Sequence, residues 1–404
     1  MKVNTPKRRF KGFSENWEQE KLKNISTVSS CKRIYKNETH ELGEIPFYKI
    51  GTIGKKPDSY ITREIFENYK QNYDYPDYGD TIITASGSIG RLFQYQGEEA
   101  YFQDSNLVWL NFKLEMNKDY TYYYLNRIRW AVEGTTITRL YNKNILSSIF
   151  KYPNLEEQNK IAEFIGTIDK LLTLHKRKFE KLKQLQKSYL NESVFSEPKR
   201  SPKRRFKGFV EPWEQYQLSE VTNRVRGNDG NMSLPTLTIS AREGWLDQKD
   251  RFSKNIAGNQ QKNYTQLKYG QLSYNKGNSK AAPYGVVYML NTHKEALVPS
   301  IYHSFEMIDG EPKFLEYLFS SRKLDRELRK YVSSSARMDG LLNITYQNFE
   351  KVELNLPQKY EQLKVKEFLK KLDLLLTLHK HKHNAIKILQ KIYLQNNLKD
   401  ETYA

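Results

Sequence analysis

Side chains able to do covalent chemistry are sparse in this sequence, and none stands in a recognised catalytic spacing. No G-x-x-x-x-G-K-[ST] loop is present, and GTIGK at Gly51–Lys55 is too short to cradle a nucleotide phosphate. SGSIGR at Ser86–Arg91 lacks the spacing of a dinucleotide fingerprint, and neither G-x-S-x-G nor H-E-x-x-H occurs. The Asn/Asp-Pro-Pro-aromatic tetrapeptide of amino-methyltransferases is missing, and Pro76-Asp77 has no clean downstream acidic-x-Lys partner for a nuclease site. His379 and His383 have an i, i+4 spacing that can hold zinc, but no carboxylate or cysteine completes a ligand set, so packing is their better use. Cys31 is the single cysteine, which excludes a disulfide framework, fits a reducing compartment and reads as an ordinary small side chain. No catalytic residue, no metal site and no cofactor bound by this chain are expected.

What remains is charge. The 404 residues carry 66 Lys plus Arg against 47 Asp plus Glu, a formal net charge of +19, and this points to a polyanionic partner. At 13% aromatic residues the chain is too rich in core-forming side chains to be a disordered basic tail. The opening MKVNTPKRRF has no apolar signal core and no run of eighteen apolar residues occurs, so a soluble, cytoplasmic protein with no membrane partner is expected.

The elements that must present this charge come in duplicate. TPKRRFKGFSENWEQEKL from Thr5 returns as SPKRRFKGFVEPWEQYQL from Ser201, so Trp17, Glu18 and Gln19 match Trp213, Glu214 and Gln215. DKLLTLHKRKFEKLKQLQKSYL from Asp169 returns as DLLLTLHKHKHNAIKILQKIYL from Asp373, and Pro153 with Glu157-Gln158 matches Pro357 with Glu361-Gln362. Similarity is strong at the ends of each half and weak between them, so variable bodies carrying specificity sit between shared frames.

The closing segments are helices by their heptads, with an a/d stripe through Ile161, Ile165, Ile168, Leu172 and Leu182 and a second through Val365, Leu369, Leu372, Leu376 and Ile386. Phe164, Leu171 and Leu185, with Phe368, Leu375 and Leu389, are expected to widen the seam. Each helix would run roughly 50 Å, and matching stripes are best covered by packing as an antiparallel coiled coil. The bodies read as mixed α/β. Strand-like segments in the first are Ile45–Ile53, Asp80–Ser86 and Ser105–Phe112, followed by a helix over Thr121–Glu133. The second has Ser233–Ser240, Gly270–Asn275 and Gly285–Leu290, then a helix over Phe314–Val332. Two polar loops recur in the same order: Ser86–Arg91 and Gly134–Asn144 in the first body, Asn275–Gly285 and Ser333–Asn343 in the second.

Two variable bodies, each closed by a Pro…Glu-Gln segment and a D-x-L-L-T-L-H-K helix, with duplicated PKRRFKGF…W-E-Q openings and the strand and loop KYGQLSYNKGNS at Lys268–Ser279, resemble the specificity subunit of type I restriction-modification systems over essentially the whole chain. The resemblance implies an α/β (mixed α+β) fold with two globular target recognition domains joined by two long helices in a pseudo-two-fold internal repeat. It places the recognition domains at 1–153 and 196–357 (with a linker), and conserved spacer helices at 154–195 and 358–404 (with a tail). It implies double-stranded DNA as ligand, read as a bipartite asymmetric site. Two modification subunits would carry S-adenosylmethionine and adenine-N6 methylation, and restriction subunits would supply ATP- and Mg-dependent cleavage. Readers of bases or phosphates would be Tyr48, Lys49, Ser86, Ser88, Arg91, Thr136, Thr138 and Arg139 in the first body. In the second they would be Arg242, Tyr274, Asn275, Lys276, Asn278, Ser279, Lys280, Ser335, Arg337 and Met338. PKRRFKGF reads equally as a phosphate-binding arm or a docking segment, and Trp17 and Trp213 as packing at a domain edge rather than as base-stacking groups. The alternative to a recognition subunit is a self-contained nuclease or DNA methyltransferase with an unrecognised active site.

Overall fold

The duplicated opening and closing motifs meet in space, and that joint recurs in each half. The computed structural model describes residues 6, 8–134, 138–193, 202–252, 258–333 and 341–398, and the chain divides into two compact units, Met1–Lys176 with His381–Ala404, and Arg177–Lys380.

In the first unit the order is β1 (Glu18–Lys21), α1 (Leu22–Ile25), β2 (Ser26–Ser30), β3 (Ile45–Tyr48), β4 (Tyr60–Ile61), α2 (Arg63–Asn72), β5 (Thr81–Thr84), β6 (Leu92–Gln94), β7 (Tyr101–Phe102), β8 (Leu107–Phe112), α3 (Lys118–Leu125), α4 (Asn142–Ser147) and β9 (Ile149–Tyr152), then the long helix α5 (Leu155–Ser193). An antiparallel sheet runs β2-β8-β5-β6, with Ser26 opposite Phe112 and Ile83 opposite Val108. A smaller sheet runs β4-β3-β7, and β1 pairs with β9. Both faces of the larger sheet are covered, so successive residues enter different cores: Ile83, Val108 and Leu110 join Trp17, Tyr120 and Phe150, while Ile82, Leu107 and Trp109 join Phe47 and Phe102.

The second unit repeats the plan with β10 (Glu214–Gln217), α6 (Leu218–Val221), β11 (Thr222–Val225), β12 (Leu237–Ser240), β13 (Gly244–Asp247), α7 (Gln248–Phe252), β14 (Thr265–Lys268), β15 (Leu272–Asn275), β16 (Val286–Met289), β17 (Glu295–Val298), β18 (His303–Met307), α8 (Pro312–Ser320), α9 (Asp325–Tyr331), α10 (Tyr346–Phe349), β19 (Glu353–Leu356) and the long helix α11 (Lys359–Asn397). Its main sheet, β11-β18-β15-β16, has the same topology as β2-β8-β5-β6, and β10 pairs with β19 as β1 does with β9.

At the joint, Arg9 grips Glu157 with both ends of its guanidinium (Nε–Oε1 2.9 Å, Nη2–Oε2 2.5 Å), and Arg205 grips Glu361 the same way (2.8 and 2.6 Å). Gln158 Nε2 donates to Pro153 O and Gln362 Nε2 to Pro357 O, each at 2.9 Å, while their Oε1 atoms accept from the backbone N–H of Asn117 and of Glu311. Glu157 and Glu361 are almost fully buried, so each needs its arginine. One arginine of PKRRFKGF therefore docks the segment in each copy, whereas Arg8 and Lys11 stay exposed. Trp17 and Trp213 are core residues at 4% and 1% exposure; Trp17 Nε1 donates to Glu157, and Trp213 Nε1 has no hydrogen-bond partner among the described residues.

Each unit holds the start of one long helix and the end of the other, running antiparallel. In the first, Phe164 lies 4.8 Å from Tyr393, and Asp169 accepts from Gln390 Nε2 (2.6 Å) and from Tyr123 OH (2.9 Å) on α3. In the second, Phe368 lies 4.4 Å from Tyr189, and Asp373 accepts from Gln186 Nε2 (2.5 Å) and from Tyr317 OH (2.5 Å) on α8. Ile161, Ile165, Ile168, Val365, Leu369 and Leu372 are buried, and Leu172, Leu182, Leu376 and Ile386 are half-buried. His383 Nδ1 lies 3.3 Å from Leu172 O, a seam contact. Among the described residues no cluster of three or more His, Cys, Asp or Glu could hold a metal.

Three expectations are corrected. Leu171, Leu185, Leu375 and Leu389 do not widen the seam; they are 40–62% exposed. The first-body helix ends at Leu125 instead of Glu133, because Trp130 is drawn against the loop at Gly90, where a Cβ would lie 2.6 Å from the indole. The second-body helix is broken into α8 and α9 at Arg322, whose φ is 66°.

Candidate nucleic-acid interface

At the end of each main sheet the loop leaving the central strand pairs with described residues of the second polar segment. In the first body, β5 runs out into Ser86–Arg91, and Arg139 and Leu140 lie beside it: Leu140 N donates to Ala85 O (2.8 Å) and Ser86 bridges Arg139. In the second, β15 runs out into Lys276–Gly285, where Leu342 N donates to Lys276 O (2.7 Å) and Gly277 bridges Leu341. The same backbone device, with different side chains, therefore presents a loop pair in both bodies.

Around the first pair, Arg139 separates two hollows. One, of about 380 Å³, is lined by Arg33, Lys36, Lys49, Asp104, Asn106 and Arg139 among others; the other, of about 590 Å³, by Glu133, Arg139, Tyr141, Asn142 and Lys143 among others. Arg139 Nη2 donates to Ser105 Oγ (3.1 Å) and its guanidinium lies 5.8 Å from the Tyr141 ring, leaving the group half-exposed. Lys49 is tied to Asp58 (2.9 Å) and Ser59, and the lysine hydrogen bond holds the Asp58 carboxyl below its ordinary range. Ser88, Arg91 and Thr138 are exposed, and Ser86 Oγ donates to Asn106 Oδ1 (2.8 Å). Tyr48 is stacked on Phe102 and packs on the core. Sequence reasoning missed Arg33, Lys36 and Asn106, which precede or follow strands without any motif.

In the second body Arg242, at the tip of the β12–β13 hairpin, and Asn278, Ser279 and Lys280 are exposed. The structure withdraws Tyr274 and Asn275 from direct reading. Tyr274 is 0% exposed and its OH donates to Tyr284 O (2.9 Å); Asn275 spends its amide on Ile239 O (3.1 Å) and on Gly277 N–H (3.0 Å). Lys276 is also buried, at 9% exposure. Beneath them His303, packed among Tyr274, Tyr346 and Phe349, holds Ile344 O at 3.0 Å from Nε2. Burial, reinforced by Lys276 and Arg224, pushes its imidazole down to about 4, so it is neutral near pH 7 and Nε2 is the donor. Arg224, also missed, lies exposed 4.2 Å from the Tyr346 ring. Thr136, Ser335, Arg337 and Met338 lie outside the described residues.

Comparison with known proteins finds similarity in part of the sequence and in the fold. Over 156 residues, 38% of this chain, it is 49% identical to a Haemophilus influenzae protein provisionally named a type I restriction enzyme specificity subunit; the match spans 40% of that relative's length. The crystal structure of a type I restriction-modification S subunit from M. genitalium matches 99% of this chain and 100% of its own, with a TM-score of 0.60 at 13% identity, a likeness of fold. No helix among the described residues is long and apolar enough to cross a membrane. Residues 14–184 match the model for the type I restriction modification DNA specificity domain.

Proposed function

We propose that this chain is the DNA-recognition subunit of a type I restriction-modification complex, without catalysis of its own. Each body, 1–153 and 196–357, reads one half of a split, asymmetric site, and the helices over 154–195 and 358–404 act as spacers. The observation that carries this reading is the loop pair built on the same sheet in both bodies with different side chains: one scaffold, two specificities. Ser88, Arg91, Thr138, Arg242, Asn278, Ser279 and Lys280 are the exposed candidates for base or phosphate contact, with half-exposed Arg139 beside them. The net charge of +19 suits a duplex.

The partners follow from the helices. Leu171, Leu174, Leu185, Leu374, Leu375, Leu378, Ile388, Leu389 and Ile392 are each at least 40% exposed, and apolar surface of this extent fits docked modification subunits. Those subunits would bring S-adenosylmethionine, and the restriction subunits ATP and Mg, to DNA in the cytoplasm. Co-expression with a modification subunit in a host lacking adenine methylation, followed by mapping of N6-methyladenine, should return a two-part motif with an unspecified middle. Methylation by the purified chain alone with S-adenosylmethionine, or cleavage with Mg²⁺, would overturn the non-catalytic reading.

A further inference from the structure

Arg322 occupies a backbone position that an arginine has no local reason to hold. It follows Ser321, the C-cap of α8, and is the one non-glycine among the described residues in the left-handed region. Glycine or asparagine would take that conformation at less cost. The compensation lies at the other end of the side chain. Nη1 donates to Gly285 O (2.9 Å) and Nη2 to Ala281 O (2.6 Å), so one planar fork holds two carbonyls of the loop that leaves β15. Between those carbonyls and the sheet, Ser279 and Ala282 exchange backbone hydrogen bonds (3.2 and 2.9 Å), and Tyr274 OH holds Tyr284 O. Gly285 sits so close to Asn275 O that a Cβ would lie 2.5 Å from it. The loop is thus secured from below at residues 281, 284 and 285, and Asn278, Ser279 and Lys280 are left exposed at its outer edge.

The first body does without this device. Its loop Ser86–Arg91 is shorter and is closed by Thr84, whose Oγ1 donates to Ser88 O (2.5 Å) and accepts from Arg91 N (3.0 Å). Arg127, in the place after the α3 C-cap that Arg322 takes after the α8 C-cap, has its Nε buried without a hydrogen-bond partner among the described residues. A longer loop loses more freedom when ordered and needs the additional clamp.

We propose that Arg322 is the positioning residue of the second recognition loop, its guanidinium fork holding Ala281 and Gly285 so that Asn278, Ser279 and Lys280 form a preorganised reading edge. This rests on the DNA-recognition reading above. The test uses the full chain with its modification partner, comparing Arg322→Gly, which keeps the backbone conformation and removes the fork, with Arg322→Lys, which keeps the charge alone. Amide exchange at Ser279, Ala282 and Gly285 should accelerate about tenfold in Arg322→Gly, with Arg322→Lys between it and the parent. The methylation map should become degenerate in one half of the motif only, with thermal stability unchanged. Unchanged exchange would overturn the proposal outright, and faster exchange with an unaltered motif would overturn the loop's part in reading. If the parent chain itself yielded no split motif, the recognition reading would fall, and the exchange measurement would still report separately whether Arg322 holds the loop.

Discussion

At the scale of single residues, the second body depends on a histidine that must stay neutral. Burial holds His303 at about 4, against 6.5 for an ordinary histidine, so below 6.5 the unfolded chain takes up the proton first. The stability this ring contributes is complete above about pH 6.5 and is lost as pH falls toward 4, by roughly 3 kcal/mol at most. Burial pushes the carboxyls of Glu316 and Asp325 up, which drifts the other way, so the useful quantity is parent minus His303→Gln in denaturant midpoints from pH 7 to 4. That difference should shrink on acidification; a constant difference would mean the ring does not titrate as described. None of this was legible in the sequence, where His303 is one histidine among seven. The burial of Tyr274 and Lys276 was hidden for a related reason: a polar run at a strand end looks exposed until both faces of the sheet are known to be covered.

At the scale of elements, the long helices were the most legible part of the chain, since a heptad stripe states which residues share a face. It does not state how wide a strip the partner covers, and hence Leu171, Leu185, Leu375 and Leu389 were placed in a seam that leaves them exposed. Nor does it show what sets the register. That role falls to a polar clamp, Tyr123–Asp169–Gln390 in one unit and Tyr317–Asp373–Gln186 in the other, which ties a body helix to both long helices. Asp169 and Asp373 are half-buried, and a partly desolvated carboxylate holding two donors is costly to orphan. The Gln186→Leu, Asp373→Leu double variant should therefore cost less than the sum of its two single variants, with a coupling of about 1 to 2 kcal/mol in a denaturant double-mutant cycle. Coupling near zero would reduce the clamp to an incidental contact. The repeated openings were equally legible as a repeat, yet Arg9 gripping Glu157 could not be read, because the two residues lie in different repeated motifs separated by the whole intervening body.

At the scale of the whole molecule, neither unit matches one uninterrupted half of the repeat. The first body's core contains Leu398 at 1% exposure and is flanked by Tyr393 and Leu394 from the end of α11. A chain ending at Lys380 should lose about 3 kcal/mol or more from the first unit, seen as early proteolysis of Glu18–Tyr152, while the second unit keeps its protection. Equal loss in both would contradict the division. The same interlacing sets an order of events during synthesis. A ribosome adding about 5 to 20 residues per second finishes the first body's strands at Tyr152, then spends some tens of seconds before Leu398 emerges to close their core. The buried cluster of the second unit is complete in sequence at Leu372, before Leu398 is reached, so the body translated last is the first whose core can close.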